Sequence, residues 1–180
     1  MTSNMPVTHL PKQPIRAHWT GFLRDIASRG VQVGELALIN SGPALTCRAV
    51  GSTVVVCFHV PGLSISGLLH VAYPAARHHL ALGQTMPFAF ADRGIAELVR
   101  VLGELNVAPA DVQVQLVGGS SLMSNHPTYD GPLRLVRAVE VMLTANGLVV
   151  RSRHLGGSRA RHVHQAMHGQ LLVVMSGGQP

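Results

Sequence analysis

Histidine and glycine dominate the side chains that could carry chemistry in this sequence. There are eleven histidines, and His162-x-His164 with His168 would set imidazoles on one face of a strand, with His78-His79 as a second small cluster. Neither cluster has cysteine or carboxylate partners at zinc-ligand spacing, so both read as structural or surface histidines and no metal is expected. Gly118-Gly119 and Gly156-Gly157 each follow a strand-like run and neighbour hydroxyl residues. No lysine follows either pair, and the G-x-G-x-x-G spacing is absent. They read as tight turns or points of close backbone approach, and no nucleotide cofactor is implied. The two cysteines, Cys47 and Cys57, have no export signal ahead of them and are expected as reduced thiols, with Cys57 on an apolar strand and most simply core.

The elements that must position these groups follow from periodicity. Residues 1–18 contain Pro6, Pro11 and Pro14 among polar neighbours and read as a lead-in. Trp19, Phe22, Leu23 and Ile26 have helical spacing, which predicts a short helix from Trp19 to Ser28 and an N-terminal extension over residues 1–30. Val31–Ile39, Ala44–Val50, Thr53–Val60 and Ile65–Tyr73 read as four successive strands divided by Gly, Pro and Ser punctuation. Ile95, Leu98, Val99, Leu102 and Leu105 recur at three and four, predicting a helix between Phe90 and Leu105 with Asp92 near its N-terminus. A strand at Val112–Val117 precedes a polar loop, Ser120–Gly131. A second helix is expected over Leu133–Ala145, then a strand at Leu148–Ser152 and a hairpin of His162–Met167 with Gln170–Met175 about His168-Gly169. The order gives a mixed α/β single domain over residues 31–180.

Composition bounds the partners. Hydrophobic residues make up 47% of 180 and charged residues 12%, enough to bury a core. The net charge of +6 is spread along the chain and nearly all arginine, with Lys12 the single lysine, so no nucleic-acid face is expected. Apolar runs such as Val54–Phe58 fall well short of the ~20 residues of a membrane span, and Met1 to Lys12 does not read as a signal peptide. A cytoplasmic protein without membrane insertion is the expectation.

Taken in order, the motifs resemble a known family. The run Gly51-Ser52-Thr53-Val54-Val55-Val56-Cys57-Phe58, then Pro61, then Ser66-Gly67-Leu68-Leu69-His70-Val71-Ala72-Tyr73-Pro74, is similar to the signature of CheD, the chemoreceptor glutamine deamidase of bacterial and archaeal chemotaxis. Val33-Gly34-Glu35, Phe90-Ala91-Asp92, Gly118-Gly119 and the Gly156-Gly157-Ser158-Arg159-Ala160-Arg161 run match in turn, so the resemblance covers about residues 31–175. It implies mixed β-sheets flanked by helices and a cysteine hydrolase acting on protein glutamine, with a thiolate nucleophile, a histidine general base and a supporting threonine. His70 matches the histidine, seventeen positions after the nucleophile position. Thr53 stands where the family has its cysteine, and Cys47, six residues earlier, stands where the family has its threonine. Backbone N–H groups at Gly51-Ser52 would face the developing oxyanion. Arg134 is what is left of a longer family segment, Leu135 replaces a usual asparagine, and His154 replaces a common acid. The resemblance therefore implies either a deamidase of methyl-accepting chemotaxis receptors, acting through His70 with Thr53 or Cys47, or a non-catalytic adaptor that binds receptors or a CheC-type phosphatase.

Overall fold

The computed structural model describes residues 28–121 and 130–176. Nine strands and three α-helices are found there: β1 (Ser28–Gly30), β2 (Leu36–Ile39), β3 (Ala44–Val50), β4 (Val54–Val60), β5 (Ile65–Val71), α1 (Leu80–Thr85), α2 (Ala91–Glu104), β6 (Gln113–Gly118), α3 (Gly131–Ala145), β7 (Val149–Leu155), β8 (Arg161–Gln165) and β9 (Leu171–Met175). They form two sheets, a five-stranded one in the order β2-β5-β4-β6-β7 and a four-stranded one in the order β1-β3-β8-β9. The mixed α/β expectation is met, and no described helix is long and apolar enough to cross a bilayer.

Strand β4 explains the layering. Successive side chains of a strand point to opposite faces, yet β4 is apolar at nearly every position because both of its faces are covered. Val54, Val56, Phe58 and Val60 join the stripes Ile95, Leu98, Leu102 of α2 and Leu135, Val139, Leu143 of α3 in one core. Val55 and Cys57 turn the other way and meet Leu45 and Cys47 of β3 and Val163 of β8 between the sheets. Each buried Leu or Val contributes about 1.5–3 kcal/mol relative to an exposed one, so burial on both faces anchors β4 between the layers. Leu135 is one of these core side chains.

The differences from the sequence reading have local causes. The strand expected over Val31–Ile39 begins only at Leu36, because the chain turns at Gly34 (φ 82°) and the Glu35 carboxylate caps the Gln32 N–H at 2.8 Å. Helix α1 was not foreseen, since six largely exposed residues carry no amphipathic period. Ser28, expected as the last helical residue, instead pairs with Ala44 in β1. The rest of the Trp19–Ser28 helix, and most of the loop expected over Ser120–Gly131, lie outside the described residues. The final hairpin forms as expected, with Gly169 (φ 79°) in its turn.

Candidate active site

His70 lies in β5 between Leu69 and Val71, which face the helices, so alternation turns its ring toward the second sheet. Its backbone is held on both sides: its N–H donates to Glu35 O at 3.1 Å and its carbonyl accepts from Gly34 N at 2.8 Å. Thr53 immediately precedes β4. Its carbonyl accepts from Gly119 N, and the Gly51 carbonyl from Ser120 N, each at 2.8 Å. Gly118 (φ 121°) allows this approach, because a Cβ there would lie 2.1 Å from Thr53 O. The first glycine pair is thus the close backbone approach that its sequence suggested.

Held this way, Thr53 Oγ1 lies 2.8 Å from His70 Nε2. The ring is only 6% exposed while Thr53 is half-buried, so the hydroxyl stands between the imidazole and the outside. Burial pushes the His70 pKa down to about 4, with the Val31 carbonyl pulling weakly the other way. The ring is therefore neutral near pH 7. Its Nδ1 is buried and makes no hydrogen bond of good geometry. A neutral ring whose Nε2 carries no proton can take one from Thr53, the arrangement a general base requires. Among the described residues no hydrogen bond takes up the N–H of Ser52 or Thr53, which leaves two donors at the turn beside the hydroxyl.

Cys47 spends its hydrogen away from the ring. It is 1% exposed between the sheets, and its Sγ hydrogen goes to Val31 O at 3.4 Å, with no hydrogen bond to His70. Burial first, and the Glu35 carboxylate second, raise its pKa far above that of an ordinary thiol. Cys57 is likewise a buried free thiol, pushed up by burial and by Cys47. A thiol that keeps its proton is a poor nucleophile. Arg134 is exposed and paired with Asp130 at 2.7 Å, and His154 is exposed on β7. Of the strand histidines, His162 is engaged at both ring nitrogens: its Nδ1 accepts from Ala49 N at 3.3 Å and its Nε2 meets Ser176 Oγ at 3.3 Å. Among the described residues no three His, Cys, Asp or Glu side chains converge as a metal ion would need. Sequence reasoning missed Ser120, which anchors the Gly51 carbonyl; a buried serine after a glycine pair carries no periodic signal.

Comparison with known proteins bears on the same chain. Residues 74–175, more than half of it, match the family described as CheD chemotactic sensory transduction. That match begins beyond both Thr53 and His70, so it is independent of the geometry above. A protein of Syntrophotalea carbinolica named "Probable chemoreceptor glutamine deamidase CheD" is 28% identical over 134 residues, 73% of this chain and 83% of the relative. A relative of the same name from Jannaschia sp. is 31% identical over 135 residues, 74% of this chain and 73% of its own length. The "Probable chemoreceptor glutamine deamidase CheD 2" of Anaeromyxobacter dehalogenans is 28% identical over 150 residues, 83% and 94% of the two chains.

Proposed function

Since this chain belongs to the CheD family, we propose that it is a chemoreceptor glutamine deamidase of low intrinsic turnover, with Thr53 in the nucleophile's place and His70 as general base. The observation that carries this reading is the 2.8 Å contact between Thr53 Oγ1 and His70 Nε2 at a half-buried position. In the proposed reaction His70 takes the Thr53 proton on Nε2 as the hydroxyl oxygen attacks the glutamine Cδ. The oxyanion forms against the N–H groups of Ser52 and Thr53. Proton return from His70 releases ammonia, and water, deprotonated by the same ring, cleaves the ester to leave glutamate. Substrates would be glutamines on the helices of methyl-accepting chemotaxis receptors, in the cytoplasm, with residues 31–180 as the catalytic domain and 1–30 as an extension.

Low turnover follows from the groups themselves. A threonine hydroxyl is almost entirely un-ionised at neutral pH, and no α-amine stands beside this internal residue to activate it. A histidine held near pKa 4 is also a weak base. The buried Cys47 thiol, turned to Val31 O, offers no substitute, and this favours a second reading in which the fold serves as an adaptor for receptors or for a CheC-type phosphatase.

Mass spectrometry of a receptor cytoplasmic fragment incubated with the protein separates the two, since each conversion exchanges an amide for a carboxylate. Slow conversion by the wild type, lost in Thr53→Ala, supports the deamidase. A silent wild type with an active Thr53→Cys supports an intact but disarmed site and hence the adaptor. Silence of both would sink the reading of Thr53 and His70 as a deamidase site.

A further inference from the structure

Arg161 opens β8 and is buried, 6% exposed, yet among the described residues no carboxylate pairs with it. The ion pairs among the described residues join Arg100 to Glu97 and Glu104, Arg134 to Asp130, and Arg153 to Glu140. A buried cation without a counter-charge is costly unless its N–H groups find oxygens. Here Nη1 donates to Ser120 Oγ at 2.5 Å and Nη2 to Gly156 O at 2.8 Å. Ser120, fully buried, passes its own hydrogen to Arg159 O at 2.8 Å, while its backbone N–H holds Gly51 O at 2.8 Å. Gly156 N in turn donates to the carbonyl of Gly118, the residue pressed against Thr53 O. Three glycine turns therefore meet around one guanidinium, and one of them carries Thr53.

We infer that Arg161, acting through Ser120, is a positioning residue that fixes the Gly51–Thr53 turn so that the side chain at position 53 is held on His70 Nε2. This rests on the reading of Thr53 and His70 as a reactive pair. A fork of fixed geometry suits the task, because it binds the serine hydroxyl and the Gly156 carbonyl together and leaves neither turn free to shift alone. A role in stability alone would need the same bonds but would leave the ionisation of a group at position 53 unchanged.

The test installs a reporter thiol, Thr53→Cys, and follows its alkylation by iodoacetamide against pH in the full chain. Cys47 and Cys57 are buried and stay silent in the folded protein. In this background Ser120→Ala and Arg161→Met are expected to slow alkylation at neutral pH on the order of tenfold, because the sulfur moves off the ring. They are also expected to move the pH midpoint away from the parent's, toward the ordinary thiol value of about 8.5. Arg153→Met, which breaks a surface ion pair on β7, should match the parent. Variants that keep the native circular dichroism together with the parent's rate and midpoint would overturn the inference. If Arg161→Met does not fold, Ser120→Ala decides by itself, since it removes one hydroxyl and keeps the backbone bond to Gly51. The readout is thiol ionisation and not glutamine conversion, so inactivity toward receptors would leave the result standing.

Discussion

Strands β4 and β5 carry a histidine–hydroxyl pair at each end, and the two pairs differ in how fully they are bonded. At one end His59 pairs with Ser66 across the ladder, its Nδ1 lying 3.0 Å from Ser66 Oγ and 3.0 Å from Ile65 O. A carbonyl only accepts, so Nδ1 carries the hydrogen. Ser66 Oγ donates to Met167 O at 2.8 Å and accepts from Gly169 N at 3.2 Å. That hydroxyl has no hydrogen left to offer, and the pair serves as a latch between the β8–β9 turn and the first sheet. At the other end, among the described residues, Thr53 Oγ1 has one hydrogen-bond partner, His70 Nε2, and the ring's second nitrogen makes no hydrogen bond of good geometry. A histidine and a hydroxyl make structure where every proton is committed and leave room for chemistry where one is not.

The largest test of that contrast is the loss of each histidine's partner role. His70→Gln in the Thr53→Cys protein should lower glutamine conversion about 10²–10⁴-fold, the usual contribution of a positioned base. His59→Gln should leave the rate per folded molecule unaltered. Equal losses from both substitutions, read by mass spectrometry of a receptor fragment, would erase the distinction between the two ends.

How much of this was legible in the sequence varies by link. The strands β3 to β6, helix α2 and the final hairpin follow from period and punctuation, because their apolar positions repeat locally. The division into two sheets does not, since Cys47 pairs with Val163 more than a hundred residues away and no local pattern encodes that choice. Thr53 and His70 came together through resemblance alone; their contact depends on Gly118 tolerating an approach that no other residue could. The direction of Cys47 was equally hidden. It follows from the facing of β3 toward the first sheet, just before a register shift between Cys47 and Val50 in which Ala49 takes φ 54°.

A second test uses acid. Unfolded, His70 titrates near 6.5; folded, it is held to about 4, so between those values the unfolded chain binds more protons. The stability of the neutral buried ring is whole above pH 6.5 and is lost as pH falls toward 4, about 3 kcal/mol in all. Urea unfolding at stepped pH should show this slope in the wild type and a flatter one in His70→Gln. A slope that persists in the variant would place the acid sensitivity elsewhere.

The latch itself is tested by Ser66→Ala. That change takes its partner from the half-buried Met167 carbonyl and reduces the Gly169 N–H to its bond with Ala166 O at 3.2 Å, at a cost of about 1–1.5 kcal/mol. Chemical denaturation should register the loss, while alkylation of the Thr53→Cys reporter stays at the parent rate. A change in that rate would mean that the two ends of the hairpin are mechanically coupled.

The smallest effect is expected at Cys47. Its thiol spends its one weak hydrogen on Val31 O and fills space between the sheets, so Cys47→Ala removes little more than a buried sulfur, about 1 kcal/mol of stability. Glutamine conversion by the wild type should survive the change, because the imidazole keeps its hydroxyl partner and loses nothing it was bonded to. Cys47→Thr is the sharper variant. It puts an oxygen where sulfur now sits, and if the new hydroxyl turns from the Val31 carbonyl to the bare Nδ1, the proton of the ring is fixed on that nitrogen and Nε2 is left open as a base. Faster conversion in Thr53→Cys/Cys47→Thr than in Thr53→Cys, with the 15N shifts of the His70 ring reporting the Nδ1–H form, is the expected outcome. An unchanged tautomer in the double variant would show that the Val31 carbonyl already does this work, and that position 47 belongs to the packing between the sheets.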